Sequence, residues 1–151
     1  MHQYRAPLED MKFLLTHMSR AQVNEIDELQ AVLEQASKFS EQQLAPANSL
    51  GDVEGCNFIS GKVSLPTSTH KAFKHYVTAG WMGMCMPETW GGQNLPETIG
   101  NKVGEMITSS NHAISMISAL TMSACKALIA FGSEELKQCY LPKMWFRPRP
   151  Y

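Results

Sequence analysis

Between Asn111 and Gly132 the chain runs for twenty residues with a single charge, Lys126. Ala113, Ile114, Met116, Ile117, Ala119, Leu120, Met122, Ala124, Ala127, Leu128, Ile129 and Ala130 spread round the whole circumference of a helix wound from them. A helix apolar nearly all round belongs at the centre of a domain. This stretch therefore predicts a helical bundle arranged about a buried His112–Phe131. Asn111 or a neighbour opens that helix and Gly132 closes it. Ser133 caps the next helix, Glu134 and Glu135 fill its first turn, and Pro142 stops it after Leu141.

The other helices are written by period and cap. Pro7-Leu8-Glu9-Asp10 opens one whose apolar face is Leu8, Met11, Leu14, Leu15 and Met18; the segment Ser19–Asn24 breaks it. Asn24 caps a second, with Ile26, Leu29, Val32, Leu33, Ala36, Phe39 and Leu44 recurring at three- and four-residue steps. Pro46 and the pair Gly51-Asp52 are expected to end it. Ser68–Ala79 forms another, with Ala72, Phe73, Tyr76 and Val77 inward and Gly80 as its stop. Pro96–Ser109 follows, burying Ile99, Val103, Met106 and Ile107. The fold class is all-α, about six helices, with at most a small hairpin near 56–65, where Phe58-Ile59 and Lys62-Val63 flank the turn Ser60-Gly61.

Met82–Pro96 is a sharp bend between two helical blocks. An apolar run, Met82–Met86, stops at Pro87. Gly91-Gly92 supplies backbone angles a side chain would block. Pro96 is placed as a first helical residue, where its missing N–H costs nothing.

A length of 151 residues suits one domain. A net charge of −1 argues against a nucleic-acid surface. The charge is uneven: residues 1–55 hold four Lys/Arg against nine Asp/Glu, the rest nine against five. This reads as two halves of one globule attracting each other weakly, the alternative being a functional acidic arm. Cys56, Cys85, Cys125 and Cys139 stand at no C-x-x-C spacing, so neither a zinc site nor a dithiol motif is written. They read as reduced, mostly buried thiols in a cytoplasmic protein. No signal peptide is visible at the N-terminus, and no apolar run is expected to span a membrane. His70 and His75, five apart, share no helical face and read as surface residues, so no metal site is expected.

By residues alone no constellation supports catalysis. There is no Gly-x-Ser-x-Gly, no phosphate loop and no Gly-x-Gly-x-x-Gly. Glu105 reads as a solvated helix residue. The ten methionines read as deformable core filler or as the wall of a cavity for a flexible apolar ligand. Ile114, Ser118 and Met122 share one helix face, flanked by Ser115. That face could pack a neighbouring helix closely or border a slot; spacing does not separate the two.

Several motifs in order carry a resemblance over almost the whole chain. They are Tyr4-x-Ala6-Pro7-Leu8-x-Asp10-Met11-x-Phe13, Gly51-Asp52-x-Glu54-Gly55-Cys56, Gly61-Lys62-Val63 and Gly80-Trp81. The run from Pro87 to Trp90-Gly91-Gly92-Gln93-x-Leu95-Pro96 adds to them, as does Phe131-Gly132-Ser133-Glu134-Glu135-x-Lys137-x-x-Tyr140-Leu141-Pro142-Lys143. Together these resemble the first domain of the larger bacterial acyl-CoA dehydrogenases, the branch that includes methylthiopropionyl-CoA dehydrogenases. The resemblance implies residues 1–142 as an N-terminal-like helical domain. Within it, 1–50 would be an extension and 66–142 the bundle core, and 143–151 would be an irregular tail that departs from the family.

The resemblance also implies function. Such enzymes bind FAD and oxidise an acyl-CoA thioester to the 2,3-enoyl-CoA. The acyl cavity would be lined by Ile114, Ser115, Ser118 and Met122, and Pro87, Gly91, Gly92, Gln93 and Pro96 would be the family motif. No catalytic or cofactor-binding residue is assigned, because the flavin-binding strands and catalytic glutamate have no counterpart here. The chain is expected to be a truncated or frameshifted product, inactive by itself and holding no FAD stably. It would self-associate or pair with a missing-domain partner. The rival expectations are a non-catalytic helical interaction module and half of a split enzyme.

Overall fold

A computed structural model describes residues 4–18 and 23–144. It contains α1 (Leu8–Met18), α2 (Val23–Phe39), a π turn (Ser40–Leu44), α3 (Ala45–Glu54), β1 (Asn57–Ile59), β2 (Lys62–Ser64) and α4 (Thr67–Thr78). Two 3-10 turns (Trp81–Gly83 and Glu88–Trp90), α5 (Glu97–Ser110), α6 (His112–Phe131) and α7 (Glu134–Met144) follow. The all-α expectation holds, with the hairpin as its one sheet.

Helix α5 is the hub. It packs on α2, on the π turn and on α6, while α1 lies on α2, α4 on α3 and α7 on α6. The centre is closed by Leu15, Leu33, Leu44, Ile99, Val103, Met106, Ile114 and Leu141, all essentially without exposure. Ile99, Val103, Met106 and Ile107 are buried as their spacing predicts, and so are Ala72, Tyr76 and Val77 on α4. Ion pairs tie local neighbours: Lys12 Nζ to Glu34 at 2.7 Å, Arg5 to Glu41 at 3.5 Å, Lys126 to Glu97 at 2.7 Å. Among the described residues every such pair lies within one half of the chain, so the opposite charges of the two halves meet in no direct bridge.

Several boundaries differ from expectation, each for a physical reason. α2 begins at Val23, so Asn24 lies in its first turn rather than before it. Pro46 does not end the helical rod. The π turn shifts the register, with the Ala45 N–H bonded to the Ser40 carbonyl, and Pro46 falls in the first turn of α3, where it has no N–H to lose. The rod runs on through Gly51 and stops at Gly55, whose φ is +68°. Pro96 takes the N-cap place, with ψ 141°, one residue ahead of α5. Pro142 sits inside the last turn of α7. The carbonyl it leaves without a partner four residues back belongs to Gln138, an exposed residue that water reaches. On α1, Met11 and Leu15 are buried but Leu14 is exposed.

The hairpin pairs Phe58 with Val63 in antiparallel register. Ser60 and Gly61 both have positive φ, 53° and 78°, the mirror-image turn whose twist matches paired strands. Ser19–Gln22 and the residues from Trp145 onward lie outside the described residues, so the break after α1 and most of the expected tail go undescribed; Lys143 and Met144 of that tail belong to α7.

The largest correction concerns α6. It buries Ile114, Ser115, Ser118 and Cys125, while Met116, Leu120 and Phe131 are 48%, 69% and 91% exposed. It is a flank of the bundle, covered by α5 and α7 on one side only. Apolar residues all round a helix report what each face would prefer to touch, not whether a neighbour lies over it. By length and composition alone α6 is also long and apolar enough to cross a membrane, with a mean hydropathy of 1.7 over an 18-residue window. Its packing on α5 and α7 and its ion pair to Glu97 are those of a bundle helix.

Candidate functional site

The bend after α4 folds back on itself. Gly80 adopts φ +81°, and Gln93 Nε2 donates to its carbonyl at 3.0 Å. Backbone N–H groups of Gln93, Asn94 and Leu95 donate to the carbonyls of Gly83, Met86 and Met84 at 3.2, 2.9 and 2.8 Å. Gly92 passes so close to Met86 that a Cβ there would overlap the Met86 carbonyl. Pro87, Gly91, Gly92, Gln93 and Pro96, expected from the resemblance as a motif, thus build the bend itself, and none is among the residues lining the cavity beside it.

What the bend does is hold Met82, Met84 and Met86 buried against α5 and α6. Between these three pieces lies a cavity of about 330 Å³. Ser115, Ser118 and Met122 line it, from the α6 face singled out by spacing. Ile114 does not; its side chain is fully buried in the core. Both serine hydroxyls are engaged with the helix: Ser115 Oγ donates to the His112 carbonyl at 2.9 Å, Ser118 Oγ to the Ser115 carbonyl at 3.0 Å. The wall they present is therefore less polar than its composition suggests. Tyr76 borders the same space; burial pushes its phenol up, and the Ser118 hydroxyl partly offsets this.

One end of the cavity is charged. Glu97 from α5 and Lys126 from α6 meet at 2.7 Å and tie the two helices there. Cys85 lies beside them, its thiol pushed up by burial and then by the Glu97 carboxylate. Periodicity missed the α5 contribution, Gly100 and Gly104, although two glycines one turn apart inside a helix are a visible signal of close approach or open space. The cysteines also need correction: Cys125 is buried and Cys85 half-buried, but Cys56 and Cys139 are exposed. Glu105 is exposed, as expected. Among the described residues no three His, Cys, Asp or Glu side chains gather as metal ligands.

Residues 26–145 match the model of the acyl-CoA dehydrogenase N-terminal domain. The chain is 32% identical, over 150 aligned positions, to 3-methylmercaptopropionyl-CoA dehydrogenase of Ruegeria pomeroyi, an alignment covering 93% of this chain and 26% of that protein. It is 30% identical over 139 positions to butyryl-CoA dehydrogenase of Syntrophomonas wolfei, covering 90% and 23%. The chain spans about a quarter of the length of these relatives.

Proposed function

The chain belongs to the acyl-CoA dehydrogenase family, matching its N-terminal helical domain, and from that membership we propose that it walls the acyl cavity of an FAD-dependent dehydrogenase acting on the CH–CH bond of acyl-CoA thioesters. The observation that carries this reading is the methionine-walled cavity between α5, α6 and the bend. Unbranched thioether side chains can re-pack round flexible apolar chains of differing shape.

The residues lining this cavity do not fit the diphosphate of a flavin dinucleotide. A diphosphate asks for free cations or a cradle of backbone N–H groups. Lys126, the one cation lining the cavity, is spent on Glu97, and the serine hydroxyls are spent on helix carbonyls. No step through flavin is assigned to residues 1–151, and in this reading the chain alone does not turn over. The experiment is to give the purified chain FAD and a series of acyl-CoAs, following binding by calorimetry and oxidation by reduction of an electron-accepting dye. Binding without dye reduction is expected. Dye reduction by the chain alone would overturn its inactivity, and absence of binding would overturn the acyl cavity.

A second reading, a helical interaction module, is favoured by the outer face of α6. There Met116, Leu120 and Phe131 stand exposed with alanines between them, an apolar strip that further protein would cover. Association of the chain at high concentration, relieved by Leu120→Lys, would support this use of the face. A monodisperse monomer that binds no apolar dye would exclude it.

A further inference from the structure

Three residues of α5 face the cavity at one-turn spacing, Gly100, Gly104 and Thr108. The two glycines differ in what stands opposite. A Cβ on Gly100 would run into the Cys85 sulfur, so that space is already taken by the bend. A Cβ on Gly104 would meet no heavy atom within 4 Å. Its φ lies in the helical range that any residue adopts, so neither backbone geometry nor close packing requires glycine there. Glycine inside a helix weakens it relative to alanine. At Gly104 the missing side chain leaves cavity volume in exchange.

We propose that Gly104 sets the capacity of the cavity. Its bare backbone leaves a lobe that admits acyl groups longer or bulkier than the cavity would otherwise hold. This rests on the acyl-cavity reading above and extends it to which acyl groups enter. A leucine side chain at Gly104 would fill the lobe, removing on the order of 100 Å³ if each of its four carbons takes roughly the 30 Å³ of a water. That is close to a third of the 330 Å³ present. An alanine would remove about a quarter as much as the leucine. It would also meet nothing.

The test uses the full chain and calorimetric titration with butanoyl-CoA and decanoyl-CoA. The unmodified chain is expected to bind both. Gly104→Leu should weaken decanoyl-CoA at least tenfold while leaving butanoyl-CoA within twofold, and Gly104→Ala should fall between. Gly104→Ala should also melt no lower than the unmodified chain, which keeps the comparison free of unfolding. Unchanged decanoyl-CoA affinity in both variants, or an equal loss for the two ligands, overturns the assignment of Gly104 and leaves the acyl reading standing. Failure of the unmodified chain to bind either ligand removes both.

Discussion

The Asn111 carboxamide joins two places 67 residues apart. Its Nδ2 donates to the Leu44 carbonyl at 3.1 Å, and its Oδ1 accepts the Ile114 N–H at 3.1 Å. One side chain, 1% exposed, thus caps α6 and fastens it to the π turn between α2 and α3. The cavity wall on α6 inherits its position from that bond.

Asn111→Ala removes the cap and leaves the Leu44 carbonyl without this donor, a combined loss of about 2–4 kcal/mol. Asn111→Asp keeps an acceptor but buries a charge and removes the donor, so it should be no better. Urea unfolding followed by circular dichroism measures both. A loss below about 0.5 kcal/mol in the alanine variant would show that the bond contributes little.

Gly92 and Gly61 should respond differently to alanine. At Gly92 the new Cβ overlaps the Met86 carbonyl, which cannot retreat without opening the bend. A cost of about 3 kcal/mol is expected, with lost protection of the amides of Gln93–Leu95 in hydrogen exchange. Gly61 has φ +78° but open surroundings, so only backbone strain of about 1 kcal/mol applies. Equal thermal shifts for the two variants would contradict the close approach at Gly92.

The attachment of α1 to α2 depends on pH. The Lys12 ammonium, donating to Glu34 at 2.7 Å, holds the Glu34 carboxyl below its ordinary 4.5, and the same bond holds Lys12 above its ordinary 10.5. Glu34 is depressed on folding, so its contribution is present above the unfolded value and is lost as pH falls through the folded one. Lys12 is raised, so its contribution is complete below 10.5 and disappears as pH climbs past the folded value. Both groups reach solvent, and salt weakens the effect. Hydrogen exchange within α1 should accelerate below about pH 4 relative to the rest of the bundle, and Lys12→Met should remove that dependence.

The four thiols should fall into two classes. Cys56 and Cys139 are exposed and should react with an aromatic disulfide reagent within minutes at neutral pH. Burial pushes Cys125 up to about 11 and Cys85 also upward, so these two should react far more slowly. An acyl ligand in the cavity should slow Cys85 further and leave Cys56 and Cys139 unchanged. Rapid labelling of all four would mean that the bend does not shield Cys85.

Much of the fold is legible because its signals are local. Asn111 before an apolar run, Ser133 before Glu134-Glu135, and Ser60-Gly61 between two short apolar pairs each act within four residues, through a cap bond or a positive φ. Ile99, Val103, Met106 and Ile107 face inward because the helical period puts them on one side of α5 and the rest of the bundle lies there. The serine face of α6 was legible in the same way, as a face.

What that face meets is another matter. Whether Ser115 and Ser118 close on a neighbour or border a slot depends on α5 and on a bend whose register Gly92 decides, and these meet only in three dimensions. Pro46 reads as a stop until the π turn before it shifts the register. The exposed flank of α6 is the clearest case. Sequence by itself determined which residues of His112–Phe131 avoid water, since that preference belongs to each side chain. Only the tertiary arrangement decided which of them are buried, since burial needs another surface within contact distance.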